Sequence, residues 1–465
     1  MPAPPEDGRK RLCGATRPPA IVLRVIPPTA PSRPTRLPAW AGRNFRLLTA
    51  SAVVTNLGSS GSVIAAAFAV LQAGGSGTDI GLVAAARTLP LVVFMLIGGA
   101  MADRLPRHHV MVGANLLNAA SQAVFAVLVL SGSARIWQMA ALSAVGGTAQ
   151  AFFGPAAQGM VLATVDRAHA GRAFAVFRMA SNGSNIGGAA LGGALTAAFG
   201  PGWVLAVDAC SFALGALLRT FLRVEEVVRS KGDSMLRELR DGWREFVSRR
   251  WLWAIVVQFS VVNAGTVATD AVFGPLVAND RLGGAGPWGV ALAAFGVGNI
   301  LGGLLLLRWR PRRILLAGTL CIFPWALPQI ALAAAAPAPM LIAAMLVSGV
   351  TIEVFGVTWM LALQQEIPEE KLSRVSAYDG LGSYALIPVG TALAGPAADA
   401  FGLYGALWGC AALTVLLTAA VLLAPEVRTL TRTDGPPAAA SSGATVQPTL
   451  KAPPGGSGEG TAPLS

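Results

Sequence analysis

Charge is scarce in this chain. Asp, Glu, Lys and Arg make up 12% of its 465 residues, where a soluble domain carries about 25%. Hydrophobic residues make up 54%. That balance excludes a water-soluble globular protein and implies a polytopic membrane protein. Histidine and cysteine are scarcer still. The three histidines (His108, His109, His169) fall in predicted loops. The four cysteines (Cys13, Cys210, Cys321, Cys410) lack metal-ligand or redox spacing, and three lie inside apolar runs, so they read as reduced packing residues. There is no Walker-type loop, no zinc-ligand spacing and no Gly-x-Ser-x-Gly elbow. An enzyme or a nucleotide-driven pump is therefore not expected, nor is a cofactor or metal. The net charge of +12 raises nucleic acid as a partner. The basic residues, however, lie between apolar runs and in the first 46 positions, with no aromatic-interleaved stripe, so none is expected.

What is abundant is the long apolar run. Twelve segments approach or exceed the ~20 residues that a membrane-spanning helix needs. They run over about 45–71, 80–102, 110–130, 136–161, 173–199 and 203–222, then 252–277, 288–307, 314–335, 340–363, 375–398 and 403–423. The predicted fold class is an all-α integral membrane protein with twelve transmembrane helices in two pseudo-symmetric six-helix bundles. Residues 43–222 would form the first bundle and 251–424 the second. Residues 1–42, rich in Pro and Arg, read as a disordered arm, or as the product of a start codon placed too far upstream. Residues 425–465, rich in Pro, Gly, Ser and Thr, read as a disordered tail.

Orientation follows from Lys and Arg. Alternate loops hold Arg104 and Arg107, Arg167 and Arg172, the group from Arg223 to Arg250, Arg308 to Arg313, and Lys371 with Arg374. The opposite loops hold only Arg135 and Arg281. Both termini are thus expected in the cytoplasm. Within the central 223–250 linker, Met235, Leu236, Leu239, Trp243, Phe246 and Val247 recur at helical spacing, with charges on most of the other face. That pattern predicts an interfacial helix on the inner leaflet.

The first cytoplasmic turn carries the most specific motif, Gly98-Gly99-Ala100-Met101-Ala102-Asp103-Arg104-Leu105-Pro106-Arg107. Its Gly-x-x-Ala-Asp-Arg-x-Pro-Arg spacing resembles the loop between the second and third helices of major facilitator superfamily transporters. Pro106 stands where that pattern usually has Gly, and His108 where it has a second basic residue. A weaker echo follows Gly302-Gly303, with Arg308, Arg310, Arg312 and Arg313. Ala149 to Ala156, Arg87 with Leu89-Pro90, Asp208 to Phe212 and Arg43 to Leu48 extend the resemblance to the drug:proton antiporter branch with enterobactin-exporter-like and macrolide-efflux-like proteins. The departures concern coupling. Ser59 and Ser60 follow Gly58 where branch members often have Asp, the fifth-helix glycine pattern lacks its Pro, and the fourth-helix Arg is missing.

The resemblance implies a monomeric carrier in a bacterial plasma membrane, moving a small molecule against protons by alternating access. Gly99, Asp103, Arg104, Arg107 and Asp166 would form the conformational motif. In it Asp103 would face the start of the eleventh helix and Arg107 would pair with Asp166. Intramembrane ionisable residues are costly, about 2.5–3.5 kcal/mol each at a helix centre, so Glu353, Asp208 and Asp270 are the candidate proton carriers. Arg87, Arg178, Gln150, Asn182, Asn185, Gln258 and Asn263 are candidates for lining a cavity or pairing helices. A mostly apolar cavity with scattered polar groups suits a hydrophobic or amphiphilic solute, such as a drug, siderophore or secondary metabolite. Nutrient uptake and a transporter-like sensor are the alternatives.

Overall fold

The computed structural model describes residues 41–102, 107–166, 169–222 and 235–432. Every regular element among them is helical, as expected where backbone groups cannot bond to water and must pair within their own segment. The first six long helices are α1 (Arg43–Gln72), α2 (Gly77–Ala102), α3 (Arg107–Leu130), α4 (Ile136–Ala163), α5 (Ala170–Phe199) and α6 (Pro201–Thr220). After α7 (Met235–Ser248), the seventh predicted span is composite. It comprises α8 (Arg250–Ala268), a π-helical turn Thr269–Phe273, α9 (Gly274–Val277) and a second π turn Ala278–Leu282. α10 (Ala285–Arg308) follows. The ninth span is α11 (Ile314–Leu320), a 3-10 turn Phe323–Ala326 and α12 (Leu327–Ala333). Then come α13 (Ala338–Glu366), α14 (Glu369–Tyr384), α15 (Ile387–Phe401), α16 (Leu403–Val421) and the short α17 (Pro425–Thr429).

Helix thus occupies each of the twelve predicted segments, and ten helical stretches are long and apolar enough to cross a membrane by length and composition. Apolar side chains such as Val127 (63% exposed) and Leu416 (65%) face outward, the surface a lipid-facing belt requires.

Three of the later spans are interrupted, and proline accounts for each break. Pro275 has no N–H to offer the Ala271 carbonyl, and one residue earlier the Gly274 N–H bonds to Thr269 in the wide π register. Pro324 and Pro328 open the 3-10 turn and α12. Pro388 sits in the first turn of α15, where its missing N–H costs nothing, so the chain breaks between α14 and α15.

Within the first six helices, α1 packs on α5 and α6, α2 on α4, and α3 on α4 and α6. Among the later ones, α10 packs on α13, and α8 on α14, α15 and α16. The two groups meet through α2 with α15 and through α5 with α10. These contacts gather where α2 and α10 begin and α5 and α15 end, the end remote from α7. A Cβ on Gly289 would come within 2.8 Å of the Gly193 Cα, and one on Gly395 would collide with the backbone of Thr78. Thr78 Oγ1 also donates to Asp399 Oδ2 at 3.1 Å. Along α5 and α10, Gly188, Gly192, Gly193, Gly296, Gly298 and Gly302 also meet a neighbouring helix. Gly187 makes only ordinary contact and Gly303 faces open space.

Three expectations are corrected. The tail was expected to lack structure from 425, but Val427 is fully buried, and Arg432 N donates to Arg312 O at 2.7 Å. An apolar side chain in reach of the core orders α17; residues 433–465 lie outside the described ones. His108 and His109, predicted in a loop, lie in the first turn of α3, because that helix begins at Arg107. The eleventh span is broken, for the reason given above.

The linker helix forms at 235–248 and docks on α14. Trp243 and Phe246 approach the Tyr378 ring at 5.4 and 6.2 Å. Glu245 bonds both Lys371 Nζ and Arg249 Nη2 at 2.9 Å. Hydrogen bonds from Lys371 and then Arg249 hold the Glu245 carboxyl below its ordinary value.

Candidate transport site

Asp208 lies on α6 and is fully buried. Its Oδ2 accepts from Gln122 Nε2 of α3 at 2.9 Å. Its Oδ1 accepts from Ser211 Oγ at 3.3 Å and from Ser59 Oγ of α1 at 3.4 Å. Ser62 of α1, whose Oγ donates to the Ser59 carbonyl at 3.0 Å, lies beside the same carboxylate, and the Arg87 guanidinium of α2 attracts it electrostatically. An ionised carboxylate has about four acceptor positions, and here three are taken by two hydroxyls and an amide, with Arg87 as the compensating charge. Gly58 leaves the room this needs, because a Cβ there would strike Ser211 Oγ and Asp208 Oδ1. The serines in this shell include Ser59, the residue after Gly58. Where the resembled branch often places an acid on the first helix, this chain places a donor to an acid on the sixth.

The cluster borders a cavity of about 240 Å³. Ser62, Arg87 and Gln122 give it polar points, whereas Val63, Ile80 and Phe125 give it apolar wall. The later helices contribute Val267, Ala271 and Thr391. The cavity therefore lies between the two groups of helices, on a mixed and mostly apolar surface, and it can hold an amphiphile beside a charged pair.

The comparisons with known proteins agree with this geometry. The family model described as Major Facilitator Superfamily matches residues 48–385. The chain belongs to the major facilitator superfamily. Among curated relatives, a multidrug efflux pump, Tap of Mycolicibacterium fortuitum, is 28% identical over 404 residues, 83% of this chain and 96% of that protein. Macrolide efflux protein A of Streptococcus pyogenes is 21% identical over 371 residues, 78% of this chain and 89% of that protein. Among solved structures, the nucleoside transporter NupG superposes with a TM-score of 0.64 at 14% identity, covering 82% of this chain and 98% of that one. An inward-facing, unoccupied bacterial homologue of the human lysosomal transporter Spinster gives 0.60 at 14% identity, covering 84% and 98%. These two likenesses show the fold.

In this superfamily member the other sequence candidates are scattered. Asp103 and Arg104 lie outside the described residues; Gly99 and Arg107 are placed only as helical, and Asp166 is exposed at the end of α4. Asp270 sits in the first π turn, beside cavity-lining Ala271, and no hydrogen bond or ion pair reaches it among the described residues. Glu353 packs its Cβ toward Gly302 on α10 and does not line the cavities described. Gln258 donates to Thr418 Oγ1 at 3.0 Å and Asn263 to Ser383 O at 3.1 Å, so both pair helices. Asn185 accepts from Ser60 at 2.9 Å and joins α5 to α1. Arg178 is exposed, while Gln150 and Asn182 are half-buried. Sequence reasoning placed Asp208 and Arg87 among the candidates but missed Ser62 and Ser211, because a serine inside an apolar run gives no signal until its partner is known.

Proposed function

We propose that this chain is a secondary active exporter of small hydrophobic or amphiphilic molecules in a bacterial plasma membrane, with both termini in the cytoplasm, driven by protons. The observation that supports it most is the buried Asp208 cluster with Arg87 at the edge of a cavity shared by both groups of helices. The relatives named as efflux pumps support the direction. In this reading Asp208 is the proton carrier. Protonating it removes the charge that Arg87 compensates and turns one acceptor into a donor, so Gln122 and Ser59 must re-pair. Proton binding and the packing of α1, α2, α3 and α6 are then coupled, and a substrate seated in the cavity feels both. The closed contacts between α2 and α15 and between α5 and α10 belong to a conformer shut at the end remote from the linker, ready to load from the cytoplasm.

The test is transport. Cells without their own efflux pumps, expressing the chain, should accumulate less of a fluorescent amphiphile than cells carrying the empty vector, and dissipating the proton gradient should abolish the difference. Equal accumulation with properly inserted protein would favour the sensor alternative. Counterflow of the same amphiphile in proteoliposomes separates a carrier, which exchanges it, from a sensor, which does not.

A further inference from the structure

A second cavity lies within the later helices and has a different character. It measures about 200 Å³ and is lined by Phe259 of α8, Phe355 and Trp359 of α13, and Asp379, Ser383 and Tyr384 of α14. Phe259 and Phe355 stack with centroids 5.1 Å apart, Phe355 and Trp359 at 6.1 Å. Behind them, Trp325 stacks on Phe259 at 5.5 Å and Trp251 meets Trp359 edge-on at 5.6 Å. These contacts fix an aromatic wall whose rings cannot easily turn away. On the same cavity, Asp379 Oδ2 accepts from Trp359 Nε1 at 3.1 Å, and Ser383 donates to the same carboxylate. No Lys or Arg among the described residues lies at ion-pair distance from it. The site adjoins the break between α14 and α15, where a membrane segment lacks continuous helix.

We infer that this cavity is a binding site for an organic cation, an ammonium or amidinium group carried on an apolar frame. A carboxylate offers about four acceptor positions, and two here are unfilled in a wall of low polarity. A neutral guest would leave that charge uncompensated, and an anion would be repelled. A monatomic cation such as Ca²⁺ needs six or more oxygen ligands, which this wall cannot supply. An alkylated cation needs few hydrogen bonds, gains from aromatic faces as well as from the carboxylate, and loses little hydration on entry. The aromatic side chains set the apolar frame and Asp379 selects the charge.

The inference rests on the export reading, for which it names a substrate class. Its test is binding alone. The full chain, purified in detergent, is titrated calorimetrically with benzyltrimethylammonium, a permanent cation, and with N-benzylacetamide, a neutral molecule of similar size. The cation should bind saturably and at least tenfold tighter than the amide. Asp379→Asn should weaken cation binding at least tenfold and change amide binding less than twofold. Asp379→Glu should stay within about threefold of the wild type, which separates loss of charge from loss of fold. Trp359→Phe, which keeps a ring but removes the Nε1 donor, should weaken cation binding several-fold. Wild-type affinity in Asp379→Asn, equal binding of the two probes, or equal loss in Asp379→Asn and Asp379→Glu would overturn the inference. A wild-type chain that binds the cation but transports nothing would sink the export reading and leave this site standing.

Discussion

Around Asp208, donors from α1, α3 and α6 converge on one carboxylate, with Arg87 on α2 as its counter-charge. Asp208→Asn should fold and insert normally, because the amide keeps the shape and most of the hydrogen bonds. It should nevertheless lose at least tenfold in gradient-driven transport. Gly58→Val should be far harsher on stability. The added methyls meet Ser211 and Asp208 in a packed interface, and overpacking of that kind costs about 1–3 kcal/mol. A lowered thermal midpoint in detergent checks it; an unchanged midpoint would mean that α1 and α6 can separate freely there. Glu353 stands as a second proposed carrier, packed against Gly302 on α10. If it carries the proton, Glu353→Gln should remove pH-driven transport while ligand binding survives; unaltered transport would leave the role to Asp208 or Asp270. Both acids were legible in the sequence as charges inside apolar runs. Asp208's serine partners were not, since a hydroxyl within a helix most often bonds its own backbone. Asp379 was not among the sequence candidates, and only the packing of Trp359 against α14 shows what surrounds it.

Among the elements, hydropathy located the spans and the amphipathic linker helix, because length and periodicity are properties of one segment. The interruptions were less legible. Pro324, Pro328 and Pro388 mark breaks in hindsight, yet Pro90 sits inside α2 and Pro396 inside α15 without ending either. Which proline breaks a helix depends on whether neighbouring helices re-satisfy the freed carbonyl, and one segment's sequence does not show that. The docking of α7 on α14 was equally invisible, being a contact between segments some 126 positions apart. Its Glu245 contacts make a prediction. Glu245 titrates below its ordinary value when docked, so its contribution is present above the unfolded value of about pH 4.3 and fades as pH falls through the folded one. Lys371→Met should loosen α7 by about 0.2–1 kcal/mol at neutral pH, seen as roughly 1.5- to fivefold faster amide exchange across Met235–Ser248. The difference between variant and wild type should shrink on acidification. Exchange rates equal at pH 7 would show that the aromatic contacts with Tyr378 hold α7 without the ion pairs.

For the whole molecule, the proposed orientation places the α7 linker in the cytoplasm. Single cysteines at Gly75, Ser133 and Gly284 should then react with an impermeant label from outside intact cells, while those at Arg107, Arg172 and Ser373 should not. The closure between α2 and α15 relies on backbone proximity at Gly395 and Thr78. Gly395→Leu should wedge that end apart, raise labelling from outside of the cavity between the two groups of helices, and slow net export. What tests the account most directly is transport in proteoliposomes under an imposed proton gradient, with wild type and Asp208→Asn compared for both gradient-driven accumulation and counterflow exchange of the same amphiphile. The wild type should do both, and Asp208→Asn should exchange without accumulating. Accumulation by Asp208→Asn at the wild-type rate, or by the wild type without any proton gradient, would contradict this.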